Sequence, residues 1–452
     1  MAQHGFVLAA TRSGDGKTTI ASGIMAALIR RGLVVQPYKV GPDYIDPAFH
    51  TGICQRPSIN LDTWMVSGDL VKWSYHWYGS DADAAVVEGV MGLFDGGEDP
   101  RRTGSTAEVA ARLQLPVVLI IDAAKMAGSA AALVSGYAGF YPGVQVRAVI
   151  ANRVASTRHY RRVKDAIESH TGIPVIGGIL RDEHLSIPER HLGLTPVSEY
   201  GAISAWNERV GQVIESSLDL DQLLELTRNE TLPPQLSMTE QLELTPGRRI
   251  KIAVARDEAF HFYYEDNLRL LAALGAEIIE FSPIHDPQLP PEVRGLYIGG
   301  GFPEMYIDQL AANQSMHRSI REAYQRGMPM IAECGGLVYL AQSFTAEKQY
   351  PLVGLVPADI RIGSRLAAMG YRRAVFGQST VLGPAGMTLR GHEFHYTYAQ
   401  SPGGEAVQLF DSGGREITND SYASKNLFAS YMHFHFFSNP SALTSFLAAA
   451  RE

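Results

Sequence analysis

The chain has 452 residues, 46% of them hydrophobic and 19% charged, with a formal net charge of −8. Those proportions exclude a disordered chain, and the acidic balance argues against a nucleic-acid scaffold, which draws on clustered Lys and Arg. The two cysteines, Cys54 and Cys334, exclude a disulfide framework and a four-thiolate metal site.

The length predicts two or three domains. The N-terminus lacks a basic stretch followed by a long apolar one, and the longest apolar runs are too short to cross a bilayer. A soluble cytoplasmic protein with neither nucleic-acid nor membrane partners is expected.

Along the chain, Gly5–Ala10, Leu33–Tyr38, Ala84–Glu88, Val117–Ile121, Val146–Ala151 and Val175–Ile179 are short apolar runs without alternation, the pattern of strands buried on both faces. Candidate helices lie between them, among them Thr18–Arg31 and Thr106–Leu113. This alternation predicts an α/β fold with a doubly wound, mostly parallel sheet over residues 1–228. Residues 229–248 are polar and carry Pro233, Pro234 and Pro246, so they read as a linker. A second α/β domain is expected over 249–452. Its strands include one starting at Ile250, Gly295–Gly299 and Met328–Ala332, and a helix over Tyr264–Leu274 stops at Gly275.

Three segments of the first domain carry chemistry. Thr11–Thr19 (TRSGDGKTT) follows a strand and opens a helix, the context of a phosphate-binding loop. Backbone amides of Thr11, Arg12, Ser13, Gly14, Asp15 and Gly16 would cradle ATP phosphates. Lys17 would reach the outer phosphates, and Thr18, followed by Thr19, would ligate Mg²⁺. The strict motif has glycine where Thr11 stands, so the loop is a variant. Lys39–Asp46 (KVGPDYID) packs Lys39, Asp43 and Asp46 around a Gly-Pro turn, more charge than a turn requires. In Ala85–Gly97, Glu88 ends a strand, where α/β folds place ligands, while Asp95 reads equally as a turn residue.

In the second domain, Cys334 sits in ECGGL just after a predicted strand, a nucleophile-elbow arrangement. Gly335 and the Gly300–Gly301 pair of GGGFPE would supply oxyanion-hole amides, and the helix N-terminus would lower the pKa of the thiol. Four histidines could serve as its base: His392, His395, His433 and His435. The last two alternate with aromatics, as on one face of a strand.

Together the segments TRSGDGKTT, KVGPDYIDPAFH, NLDTWM, VVEGVMGLFDG, GGGFPE, ECGGLVYL, GHEFHYTY and SYMHFHFFSNP resemble the a,c-diamide synthases of corrinoid biosynthesis, over essentially the whole chain. The resemblance implies a dethiobiotin-synthetase-like ATPase domain joined to a class I glutamine amidotransferase domain. It implies Cys334 as the nucleophile toward L-glutamine and His433 as its base. It also implies Thr18, Asp46 and Glu88 at Mg²⁺, with Lys39, Asp43, Tyr44, Ile45 and Asp95 toward a tetrapyrrole polycarboxylate or its phosphorylation. A homodimer is compatible with it. Most triad amidotransferases place Glu two residues after the histidine, where this chain has His435, which leaves Glu393 as a guess for the group orienting His433. The rival substrates are hydrogenobyrinic acid and nickel-sirohydrochlorin. A partitioning-type P-loop switch ATPase is the rival from another class, and it would need neither Cys334 nor His433.

Overall fold

The first unit is organised by seven apolar strands: β1 (His4–Ala10), β2 (Val35–Val40), β3 (Ile59–Leu61), β4 (Ala84–Glu88), β5 (Val117–Asp122), β6 (Val146–Val154) and β7 (Val175–Leu180). They form one sheet in the order β3-β2-β4-β1-β5-β6-β7, with every pairing parallel. Strands β1, β2 and β4 are almost wholly buried, as expected of a sheet covered on both faces. The computed structural model describes residues 3–97, 103–182, 185, 200–228, 236–363, 365–400, 406–418 and 420–452. The chain divides into two units, 1–235 and 236–452.

Central β1 lies between β4 and β5, so the chain leaves it toward β2 and later crosses back over it to β5. The crevice beyond the carboxyl ends of the strands at such a reversal is where open α/β sheets take ligands. Helix α1 (Lys17–Arg30) starts at once after the Gly-rich loop, which turns on Gly14 (φ 85°) and Gly16 (φ 92°). Only glycine takes that conformation without steric cost. Strand β2 begins two residues later than Leu33, because Val34 is exposed while Val35 is buried. Strand β3 and helix α2 (Ile45–Cys54), neither anticipated from the apolar pattern, frame the KVGPDYID segment.

Residues 229–235 of the expected linker lie outside the described residues. Its later part includes a short helix, Met238–Gln241, closed by a capping box between Ser237 and Glu240.

In the second unit, strands Ala276–Phe281, Ile250–Ala255, Gly295–Ile298, Met330–Glu333 and Leu427–Ser430 are neighbours in that order and pair in parallel. Tyr422–Ala423 closes the edge antiparallel. A separate antiparallel sheet contains Ala368–Phe376, Thr388–His395 and His433–Phe434. Helix Glu265–Ala273 is followed by Gly275 at φ 102°, which fits the expected stop.

Candidate active sites

The carboxyl ends of β1, β2 and β4 bring the three charged segments of the first unit together. Lys39 lies at the centre, with its Nζ 3.0 Å from Glu88 Oε1, 3.5 Å from Asp43 Oδ2 and hydrogen-bonded to Asp46. The Thr18 hydroxyl donates to Glu88 Oε1 at 2.8 Å and lies 3.3 Å from Asp46 Oδ2. Burial by itself would lower the Lys39 pKa, but the attraction of Glu88, Asp46 and Asp43 outweighs it and holds the ammonium charged. Glu88 is fully buried, which would raise its pKa, yet Lys39 and His50 pull it well below the usual carboxylate range. Asp46 goes the other way: burial and the neighbouring Glu88 charge raise it well above that range.

Ser13, Gly14, Gly16, Lys17, Thr18 and Thr19 line the same cavity of about 460 Å³ as Lys39, Asp43, Asp46 and Glu88. Lys17 is buried, which lowers its pKa, and its Nζ donates to Met91 O at 2.5 Å. Thr11, Arg12 and Asp15 tie the loop to itself. The Thr11 hydroxyl donates to Asp15 Oδ2 at 2.5 Å, and Arg12 bonds the same carboxylate through its backbone N–H and its Nε. Threonine in place of the motif's glycine thus has a partner four residues on.

The remaining residues expected here take local positions. Asp43 Oδ1 accepts from the N–H groups of Ile45 and Asp46, and Tyr44 is the residue before α2. Asp95 Oδ2 accepts from Gly92 N at 2.9 Å, which closes a turn and leaves Asp95 outside the Lys39 cluster.

Reading the sequence missed four residues of this site. His50 in α2 is fully buried, with Nε2 2.8 Å from Glu88 Oε2. At the end of β6, Asn152 donates to Asp15 O at 2.8 Å. Arg153, in the left-handed region at φ 58°, bonds Gly14 O at 2.7 Å and Asp122 at 2.8 Å. Asp122, Asn152 and Arg153 line a second cavity of about 450 Å³ that also reaches Gly16 and Thr19. The available signal was a polar Asn-Arg pair interrupting an apolar strand.

In the second unit, Cys334 stands between strand Met330–Glu333 and helix Gly335–Leu340 in a strained conformation, φ 48° and ψ −104°. Such strain in a non-glycine residue is costly and concentrates at functional turns. Cys334 N donates to Ser430 O at 2.7 Å, which sets the elbow beside the strand that leads to His433. The Gly300–Gly301 segment touches both. A Cβ on Gly335 would lie 3.2 Å from Gly301 N, and a Cβ on Gly300 would lie 2.3 Å from His433 Cε1.

The expected depression of the Cys334 pKa is overturned. Burial first, and then the charge of Glu304, push the thiol up, with Glu393 and Glu333 adding to the effect. The helix that follows has only six residues, and its terminus does not compensate. His433 is driven well down by burial and by His392 and His395. Both shifts favour the uncharged form, thiol and imidazole alike.

Glu393 is also corrected. It accepts from Arg372 Nε at 2.6 Å inside a buried ion pair, so its carboxylate belongs to a guanidinium. The strand His433–Phe434 spans two residues only, which removes the predicted alternation. His435 packs instead toward Tyr264 and Asp266, and His395 stacks on Tyr431 at 3.9 Å.

This fold and these two stations define a class: a nucleotide-binding unit and a glutamine amidotransferase unit on one polypeptide. Residues 6–194 match the "CobQ/CobB/MinD/ParA nucleotide binding domain" family and residues 251–441 match the "CobB/CobQ-like glutamine amidotransferase domain" family. The first description spans partitioning ATPases as well, so the second unit decides against that rival. The chain is 42% identical to a cobyrinate a,c-diamide synthase of Priestia megaterium, over 96% of this chain and 95% of that one. It is 42% identical to one of Dehalococcoides mccartyi strain CBDB1, over 99% and 98%, and 40% identical to one of Streptococcus sanguinis, over 99% of both. The chain belongs to the cobyrinate a,c-diamide synthase family. No helix among the described residues is long and apolar enough to cross a membrane.

Proposed function

We propose that the protein amidates the a and c acetate carboxylates of cobyrinic acid, with ATP as the activating agent and L-glutamine as the nitrogen source. The observation that supports this reading is the presence of two separate clusters: Thr18, Lys39, Asp46 and Glu88 on a phosphate loop, and Cys334 on a strained turn against the glycines that also touch His433.

At the first station, a substrate carboxylate oxygen attacks the γ-phosphorus and ADP leaves. The product is an acyl phosphate, a far better acylating agent than the carboxylate. Loop amides, Lys17 and Lys39 stabilise the charge on the transferring group. The cavity bearing Asp122, Asn152 and Arg153 suits the nucleoside half of ATP. The oxygens of Thr18, Asp46 and Glu88 converge and are the hard donors Mg²⁺ prefers. These three residues would hold the ion, which supplies charge neutralisation on the phosphates. Asp46, the carboxyl that most readily keeps a proton, would give it up when a cation binds. Tyr44, Ile45 and Asp43, next to the cavity in sequence, are assigned to the corrinoid side.

At the second station, Cys334 Sγ attacks the side-chain carbonyl of glutamine while its proton passes to His433. The Gly301 and Gly335 amides receive the oxyanion. The proton then goes to the leaving nitrogen, ammonia departs, and water releases glutamate from the thioester. The ammonia attacks the acyl phosphate and phosphate leaves, forming the amide.

The test incubates the protein with ATP, Mg²⁺ and glutamine and offers cobyrinic acid, hydrogenobyrinic acid or nickel-sirohydrochlorin separately, with converted carboxylates counted by mass spectrometry. Two conversions, fastest on the cobalt corrin, are expected. One conversion, four, or a preference for another macrocycle would refute the assignment.

A further inference from the structure

His435 occupies the position where most triad amidotransferases carry an acid, and Glu393 is bonded to Arg372. The ring of His392 lies along that of His433. His392 and His433 are cross-strand partners, and their rings lie 5.0 Å apart and 16° from parallel. The hydroxyl oxygen of Tyr264 lies 2.7 Å from His392 Nδ1. Tyr264 is itself immobilised: it is 1% exposed, precedes the helix Glu265–Ala273, and packs against the His435 ring at 4.8 Å. On the opposite flank, the Cε1 edge of His433 abuts Gly300.

We infer that His392, locked by the Tyr264 hydroxyl, is the positioning residue for His433 and holds the catalytic imidazole by ring stacking where other enzymes use an acid. The inference rests on the reading of Cys334 and His433 as the glutaminase pair. Whichever of Tyr264 and His392 supplies the shared proton, the bond prevents the His392 ring from turning. A fixed ring against one face and a backbone glycine at one edge restrict the plane in which the His433 imidazole can lie. A ring in this place does not strengthen His433 as a base, since burial, His392 and His395 all lower its basicity.

The test measures glutamine hydrolysis by Y264F, H392A and the double variant, with kcat normalised to ammonium-driven amidation on the same preparation. His392→Ala should lower normalised kcat about 10²-fold with the KM for glutamine unchanged, the scale of a misplaced catalytic group. Tyr264→Phe, which keeps the ring and the packing, should lower it about tenfold. The double variant should be no worse than H392A, because the hydroxyl acts only through the imidazole. A kcat within about twofold of wild type in either single variant, multiplicative losses in the double variant, or equal losses with glutamine and ammonium would overturn the inference. If H392A does not fold, Y264F decides alone. Glutamate release needs no corrinoid and is read by itself should the ammonium-driven control give no product, whereas glutaminase activity surviving Cys334→Ala would instead sink the underlying assignment of the pair.

Discussion

Substituting Gly300 by alanine tests the catalytic arrangement with a single methyl group. The added carbon would lie 2.3 Å from His433 Cε1 and 3.2 Å from both ring nitrogens, whereas ordinary contact begins at 3.4 Å. The imidazole must therefore retreat by about 1 Å, and a displacement of that size costs on the order of 10²-fold in rate. It cannot retreat freely, because His433 is 2% exposed and the His392 ring lies along its face. The backbone at Gly300 is outside the left-handed region that Gly301 occupies, so alanine adds crowding without backbone strain. Overpacking of this kind costs about 1–3 kcal/mol of stability. The assay is glutamate release from glutamine, with ammonium-driven amidation measured alongside. G300A should lose about 10²-fold in kcat for glutamine, equivalent to about 2.7 kcal/mol of transition-state stabilisation, while amidation from ammonium continues. A G300A enzyme with full glutaminase turnover would show that His433 does not act from this position.

Three further outcomes are expected. Lys39→Met leaves the buried Glu88 carboxylate without its main counter-charge and should lower the unfolding free energy by about 3–5 kcal/mol in denaturant titrations at neutral pH; a loss below about 1 kcal/mol would contradict the cluster. Glu333, buried beside Cys334, has its pKa raised by desolvation to about 8, so the folded state keeps a proton that the unfolded state releases above its ordinary value of 4.5. Stability contributed by the protonated form is thus lost as pH rises through that window, and the melting-temperature advantage of E333Q over wild type should grow between about pH 5 and pH 8; a constant difference would refute it. Lys17→Ala should abolish amidation from glutamine and ammonium alike, whereas Cys334→Ala should abolish only the glutamine route, as read by amide formation with each nitrogen source.

What could be read from the residues was whatever local pattern or motif encodes. The β1–loop–α1 unit, Glu88 at the end of β4 and Cys334 after its strand all lie where apolar runs meet Gly-rich turns. Strand β3 escaped because three residues are too few to show a period. Asn152, Arg153 and His50 escaped because their partners are 137, 139 and 38 positions away, at Asp15, Gly14 and Glu88. The direction of the Cys334 shift was misjudged for a related reason. A helix terminus is visible in sequence, but burial and the approach of Glu304 are properties of the folded chain.

The two stations solve opposite electrostatic problems, and their surroundings follow from that. Phosphoryl transfer gathers negative charge from ATP and a polycarboxylate, so the first station invests in a buried cation, Lys39, that stays ionised because three acids face it. Those acids are in turn too many for one lysine, which leaves Asp46 inclined to protonation until another cation arrives. Glutamine hydrolysis starts from an uncharged side-chain amide and develops charge only on attack. Burial and nearby acids push the Cys334 thiol up, while burial with His392 and His395 pushes His433 down, so each shift favours the uncharged side chain. On the proposed mechanism charge separation falls in the attack step, where the Gly301 and Gly335 amides would stabilise the developing oxyanion.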